Sequence, residues 1–520
     1  MVMSLVFAAA SGVLLALALP PFSAPLFSLM AFAPVVFVAA RRAPIPAKHL
    51  FVAGFIAGAL PGASLSAFIF TGFAWPSDAP FVLELIHCSP VLWALLFGCV
   101  GGGCIVLYRA FRFDSILLNA ALFAGAYVTL ESALQWVTGH YYLGALAYTT
   151  GFLPASFAGA ALGGEALVSF TVALAGALAG ELLAAPRGQR RRALALAAYL
   201  ALAAWLLCFA HERYLGGAPA PREMRVAVVQ AGPRDALPFA NVYQDRLTFP
   251  ALAAALREAG AQGNELVVYP AAVANEVAYE GAPPADGYGE LRFFPRRALD
   301  DWMRENAPAS STVVTWDLAY RGGEYFQTYH FWHSGTLAAA YDKRNLFAFT
   351  EYAPAYASFG FGPTPAPLSA GTGSGVVELE SGVVAASLQC SEIHLAGLAR
   401  RDAKGAGFFL NMGFEWILPE DAGEAYSLTA ARYRAAENNI PAVRASIEGP
   451  SALIDARGAV VKSLGFRQQG LLQGTLEIPE ARRATLYSLA GSYPLYAAIA
   501  ALFLAAYARK KNIRFPGTRG

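Results

Sequence analysis

The chain has 520 residues, of which 56% are hydrophobic and 14% charged, with a net charge of +2 at pH 7. Soluble globular proteins are usually about 45 to 50% apolar, so an ordinary soluble enzyme is excluded, and the near-neutral balance gives no case for nucleic acid. Five cysteines without a CxxC spacing supply neither a disulfide framework nor a cysteine metal site.

The apolarity is uneven. Residues 1 to about 210 are hydrophobic runs, 224 to 485 read as a mixed globular domain, and 488 to 507 are apolar again. Stretches able to cross about 30 Å of hydrocarbon fall near 3–19, 24–40, 50–73, 81–107, 115–136, 155–184, 191–209 and 488–507, which predicts about eight transmembrane helices. The first has no basic flank and more spans follow it, so it is expected to remain as a helix rather than be cleaved. Positive charge occupies alternate connections: Arg41, Arg42 and Lys48; Arg109 and Arg112; Arg187 and Arg190 to Arg192; then Arg509, Lys510, Lys511 and Arg514. The positive-inside rule therefore predicts cytoplasmic termini and an outer location for the segment from 210 to 487. Two outer loops, Ala74-Trp-Pro-Ser-Asp78 and Gly139-His-Tyr-Tyr-Leu143, are aromatic, as helix ends at an interface or the rim of a lipid entrance would be. Glu131 and Glu165 lie in or beside spans, where a carboxylate faces protein or water; pairing or capping accounts for both.

The globular segment opens with the strand Met224-Arg-Val-Ala-Val-Val-Gln230 and an amphipathic helix near 243–259. Strands follow at Glu265-Leu-Val-Val-Tyr-Pro270, Ser311-Thr-Val-Val-Thr-Trp316, Gly335-Thr-Leu-Ala-Ala-Ala-Tyr341, Val383-Val-Ala-Ala-Ser-Leu388, Ala406-Gly-Phe-Phe-Leu-Asn411 and Pro441-Ala-Val-Arg-Ala445, with a helix near 424–439 before the last. This alternation predicts a layered α/β domain of about 260 residues with its own core. It contains one cysteine, Cys390, delivered to a strand end where a side chain can face a cleft. Free cysteines are more often inert and buried. Here a lysine in Tyr341-Asp-Lys-Arg-Asn345 lies upstream and Glu392 follows, as thiol-based acyl chemistry requires.

Pro20-Pro-Phe22, Glu131 before Thr138-Gly139, Leu143-Gly-Ala-Leu-Ala-Tyr148 and Gly163-Gly-Glu-Ala166 resemble membrane-half landmarks of the apolipoprotein N-acyltransferase family. Val228-Val-Gln230, Tyr341 to Lys343 with Phe349-Thr-Glu-Tyr352, Cys390-Ser-Glu392, Arg434-Ala-Ala-Glu-Asn438 and Leu453-Ile-Asp-Ala-Arg-Gly458 resemble nitrilase-type blocks in the right order. The resemblance implies a transmembrane bundle over residues 1–210, a periplasmic nitrilase-like α-β-β-α sandwich (carbon-nitrogen hydrolase type) over 211–487, and a last transmembrane helix with a basic tail over 488–520. It places the chain as a multi-pass protein of the bacterial inner membrane.

The resemblance further implies a Glu-Lys-Cys set, with Cys390 as nucleophile and Lys343 as the cation at the oxyanion. The carboxylate expected after Trp-Pro is absent, because that place reads Tyr269-Pro-Ala271. Glu351, beside the lysine loop, is the best substitute; Glu276 and Glu280 read as solvated loop carboxylates. Glu392, Phe239, Phe349 and Phe414 are the expected substrate contacts, with Glu392 equally able to orient the strand end or a helix N-terminus; Phe347, Phe349 and Tyr352 surround Glu351, and at least one of them is expected to line the acyl path or a mobile lid. Phe239 and Phe414 replace the usual tryptophans, Ser391 an aromatic residue and Ile447 an asparagine. The implied reaction moves an acyl chain from a phospholipid, through a Cys390 thioester, to the N-terminal amine of a diacylated lipoprotein, without cofactor or metal. The alternative expectation is an impaired or substrate-shifted paralogue that binds lipid or lipoprotein without efficient transfer; an amidase is the third.

Overall fold

The structure, a computed structural model, describes residues 2–20, 22–41, 45–71, 80–138, 145–217, 219–230, 249–283, 292–346, 351, 368–413, 423–447 and 449–511. They form two compact units: Met1–Thr71 with Glu84–Gly217 and Ala484–Gly520, and Gly72–Leu83 with Ala218–Arg483.

The first unit is helical, with α1 (Val2–Ala18), α2 (Ala33–Ala40), α3 (Ala47–Thr71), α4 (Pro80–Ala110), α5 (Ile116–Thr138), α6 (Pro154–Ala184), α7 (Arg187–Gly216) and the C-terminal helix Tyr493–Lys510. Among the described residues, five helical segments are long and apolar enough to cross a membrane: Ala47–Phe68, Pro90–Ala110, Ile116–Thr138, Pro154–Ala184 and Arg187–Gly216. The first two expected spans are shorter helices. Pro25 starts a single 3₁₀ turn, Pro25–Leu29, and α-helical geometry resumes only at Ala33.

Close approach of α3 and α4 explains their glycines: a methyl group added to Gly54 would strike the Gly101 carbonyl, and one on Gly58 the Phe97 carbonyl. Helix α7 buries only Ala193, His211 and Leu215. Its other sides expose Leu194, Tyr199, Leu202, Trp205, Leu206 and Phe209. A helix apolar all round and not covered by protein needs lipid as its solvent. Helix α6 is broken at Gly163 and Gly164, where Gly164 takes φ 76° and the Ser492 hydroxyl donates to the freed Gly163 carbonyl at 2.8 Å. Glu131 is buried on α5 and accepts from the Leu146 amide at 2.9 Å, while Glu165 accepts from Gln135 Nε2 at 3.3 Å. The two aromatic loops near 74–78 and 139–143 lie outside the described residues.

The second unit contains β1 (Arg222–Gln230), α8 (Phe249–Ala261), β2 (Leu266–Tyr279), β3 (Arg292–Pro295), α9 (Arg296–Asn306), β4 (Thr312–Arg321), β5 (Glu324–His333) and β6 (Thr336–Asp342). It continues with β7 (Val376–Glu378), β8 (Val384–Ser387), α10 (Ala396–Asp402), β9 (Phe408–Gly413), α11 (Thr429–Asn438), β10 (Ala442–Ser446), β11 (Ser451–Ile454), β12 (Val460–Leu464) and β13 (Gly470–Ile478). One sheet runs β13-β1-β2-β4-β5-β6 with β3 beside β2, the other β12-β11-β10-β9-β8-β7. Period-two alternation assigns their faces. Val226, Val228, Val268, Val314, Tyr329 and Phe331 meet Ala385, Phe408, Leu410, Met412 and Val443 in a shared core between the sheets. The opposite-parity Ala227, Val267, Val313 and Trp332 pack with Leu256 and Ala259 of α8 and Leu299 and Met303 of α9. Fully burying each Val, Leu or Phe side chain contributes about 1.5 to 3 kcal/mol, so register is strongly fixed on both faces.

Strand β5 was not expected from the sequence, although Gly322 and Gly323, at φ 61° and 87°, form the tight turn that folds it antiparallel onto β4. The polar residues of this pair point outward under α9. His330 Nδ1 lies 2.7 Å from Asp317 Oδ2, and Arg296 Nη1 lies 3.1 Å from His330 Nε2. Arginine only donates, so Nε2 accepts and the neutral imidazole gives its Nδ1 proton to Asp317. Helix 424–439 is realised as one wide π turn, Gly423–Leu428, followed by α11.

Candidate active site

Parallel strands β8, β9 and β10 end on the same side of their sheet, and the chain leaving β8 turns sharply at Cys390. Cys390 is half-buried, takes part in no disulfide and has φ 49°. A residue with a Cβ rarely adopts this left-handed conformation, and strained residues of this kind concentrate at functional sites. The turn continues as a short 3₁₀ helix, Cys390–His394.

Lys343 follows β6 and is 1% exposed. Its backbone is fixed on both sides, the amide donating to Gln327 O at 2.9 Å and the carbonyl accepting from Gly371 N at 2.8 Å. Its Nζ donates to Glu351 Oε1 at 2.7 Å, and both side chains are buried. Burial is the largest single influence on Lys343 and pulls its pKa down. Glu351, then Cys390 and Glu392, act the other way and together prevail, so the amine is held above its usual range and remains an ammonium. Cys390 is among the groups whose charge acts on Lys343, so thiol and amine share one neighbourhood.

From the sequence, Glu392 either contacts substrate or orients the strand end. It is fully buried. Oε2 accepts from Tyr341 Oη at 2.5 Å and Gln389 N at 2.8 Å, and Oε1 from Arg344 N at 3.1 Å, Asn345 N at 2.9 Å and Asn345 Nδ2 at 3.3 Å. One carboxylate thus ties the segment after Lys343 to the residue before Cys390, a brace built of charge-assisted bonds. Burial first, then the Glu392 charge, lifts the Tyr341 hydroxyl well above its ordinary range, so it remains a donor. Sequence reasoning gave Tyr341 no role of its own. Its signal was a tyrosine at a core-facing strand position two residues before the lysine.

Phe239, Phe349 and Phe414, with Phe347 and Tyr352, lie outside the described residues. At Ala271 the backbone is described: β2 pairs Tyr269 with Thr315 and next Val273 with Asp317, so residues 270–272 bulge opposite Trp316. Among the described residues Cys390, Lys343, Glu351 and Glu392 are brought together. The Asp317–His330–Arg296 cluster belongs to the outer face of the other sheet.

Residues 225–485 match the profile of the carbon-nitrogen hydrolase family, and residues 11–178 that of the apolipoprotein N-acyltransferase N-terminal domain. The chain is 27% identical to an apolipoprotein N-acyltransferase of Caulobacter vibrioides, over 94% of this chain and 91% of the relative. It is 25% identical to one of Rhizobium meliloti, over 90% of this chain and 88% of that one. Among solved structures, Nit3 of Saccharomyces cerevisiae, a member of the nitrilase superfamily, is similar at 17% identity and a TM-score of 0.37, covering 53% of this chain and 96% of its own.

Proposed function

The chain belongs to the carbon-nitrogen hydrolase family, in its membrane-anchored apolipoprotein N-acyltransferase form, and we propose that Cys390 carries the acyl group in a two-step transfer. The observation that carries the assignment is the buried Lys343–Glu351 pair coupled to a thiol on a left-handed turn. In the first step a carboxylate takes the thiol proton and the thiolate attacks the ester carbonyl of a phospholipid. The Lys343 ammonium stabilises the oxyanion. The carbon–oxygen bond breaks, the proton goes to the leaving alkoxide, and a lysophospholipid departs from the Cys390 thioester. In the second step the N-terminal amine of a diacylated lipoprotein attacks the thioester, loses its proton to the same carboxylate and releases the thiolate as the amide forms.

Glu351 is assigned as that carboxylate. Position 271 holds alanine, and the five hydrogen bonds received by Glu392 commit it to the brace. Phe239, Phe349 and Phe414 are proposed to line the acyl path. We also propose the division into a bundle over 1–210, a periplasmic domain over 211–487 and a last span with a cytoplasmic tail over 488–520. About eight helices would then cross the bacterial inner membrane. Alternating basic loops support this topology. Reporter fusions test it: a cytoplasmic signal from a fusion near Asp286 contradicts both the topology and a periplasmic acceptor. The impaired-paralogue alternative is not favoured, since relatives matched over nearly the whole chain are N-acyltransferases.

Intact-mass measurement after incubating the purified protein with phospholipid tests the chemistry. The expected result is one added acyl group, absent in Cys390→Ala. No adduct on the wild-type protein, or an adduct surviving in Cys390→Ala, contradicts it.

A further inference from the structure

The nucleophile turn is gripped from behind by two residues that the catalytic assignment does not use. Asn411 lies on β9 and Arg444 on β10, directly paired in the parallel register, and both are fully buried. Asn411 Nδ2 donates to Leu388 O at 2.5 Å and to Cys390 O at 3.2 Å, while its Oδ1 accepts from Arg444 Nη1. A side-chain amide has one acceptor oxygen and two N–H donors, whereas a guanidinium only donates. Arg444 therefore dictates which end of the amide faces which way. Rotating the amide by half a turn would set donor against donor and oxygen against oxygen.

The two gripped carbonyls flank the strained residue, one at Leu388 and one at Cys390 itself. The strand before them is anchored separately, through the Leu388 amide to Leu410 O at 2.9 Å. A non-glycine residue persists in the left-handed region only where its surroundings over-determine it. Backbone pairing does this up to Leu388. Beyond it, the Asn411 amide holds the Cys390 carbonyl, and the buried Arg444 charge polarises that amide and strengthens its donors in a low-dielectric interior.

We propose that Asn411, oriented by Arg444, is a positioning residue that keeps Cys390 in its left-handed turn and its thiol beside Lys343. This rests on the reading of Cys390 as the nucleophile. Asn411 touches no reacting atom. Without it the turn relaxes toward ordinary backbone geometry, and the thiol moves away from the ammonium that favours its ionised form.

The test uses the full-length protein in detergent micelles and two readouts. One is alkylation of Cys390 by iodoacetamide across pH, followed by mass spectrometry of the Cys390 peptide. The other is acyl-enzyme formation from phosphatidylethanolamine. For Asn411→Ala the alkylation midpoint is expected to rise by about one pH unit, the size of shift that moving a nearby opposite charge produces. Acylation at saturating lipid is expected to fall at least ~10-fold, the half-saturating lipid concentration staying within about twofold, as loss of positioning rather than of binding requires. Arg444→Met, which frees the amide to rotate, reproduces both effects, and Arg444→Lys, which keeps a cationic donor on Oδ1, returns both most of the way to wild type. An unmoved midpoint with unchanged acylation in folded Asn411→Ala overturns the proposal. Should that variant fail to fold, equal midpoints and rates for Arg444→Met and Arg444→Lys overturn it. A midpoint shift in a protein whose wild type forms no acyl-enzyme upholds the positioning role and contradicts the acyl-transfer reading instead.

Discussion

Strands β4, β5 and β6 carry two buried charged clusters, and they differ in what surrounds the charge. On the outer side, Asp317, His330 and Arg296 form a chain in which neutral imidazole links carboxylate to guanidinium, with Thr315 Oγ1 also donating to Asp317 at 2.8 Å. That cluster lies under α9, on strands in regular antiparallel register. At the strand ends, Lys343 and Glu351 form an ion pair of similar burial, coupled to a thiol whose backbone is out of its ordinary well. Burial and pairing are common to both. A strained thiol-bearing residue beside a retained ammonium occurs in one of them, and that combination, rather than buried charge, is what points to chemistry.

The comparison breaks most visibly at the thiol. Cys390→Ala is expected to abolish the acyl adduct in intact mass, whereas Asp317→Asn leaves acylation within about twofold of wild type while costing about 1 to 3 kcal/mol of stability through its weakened buried hydrogen bonds. A comparable loss of rate in Asp317→Asn would erase the distinction. Lys343→Met is expected to slow acylation by about 10²- to 10³-fold, the range for removing one oxyanion donor, as read by rapid-quench mass spectrometry. Ala271→Glu sharpens the assignment further. With Glu351 already serving as base it adds less than about tenfold, and a gain of 10² or more would show general-base help missing from the wild-type site.

The smallest effect is on the pH dependence of stability. The folded pKa of Lys343 is raised, so its contribution is fully present below the unfolded value of about 10.4 and is lost as pH rises through the folded value. The difference in thermal unfolding between wild type and Lys343→Met should therefore be flat from pH 7 to about 10 and shrink above that. A difference that grows with pH there would contradict the pairing.

Much of this was legible because burial writes itself into period. The runs Val226 to Val228, Val313 to Trp316 and Phe408 to Leu410 announced strands, and a cysteine at a strand end announced a turn. Strand β5 was not legible, since Glu-Tyr-Phe-Gln-Thr-Tyr-His-Phe-Trp-His is aromatic on both faces and hides its alternation. The sequence leaves Glu392 between two roles because a carboxylate two residues from a strand-end cysteine has the same one-dimensional signature whether it faces substrate or binds backbone amides. Its five donors come from residues 341, 344, 345 and 389, and only folding brings the first three to it. Asn411 carried a weak signal, a polar residue inside an apolar strand, but Arg444 on the next strand was needed to give that amide a direction.

The most direct measurement is the rate of acyl-enzyme formation in Glu351→Gln. If Glu351 takes the thiol proton, the rate falls by about 10²- to 10⁴-fold, the usual range for losing a general base. Acylation as fast as wild type in folded Glu351→Gln would contradict the assignment of the base and, with it, the account of how this site works without a glutamate at position 271.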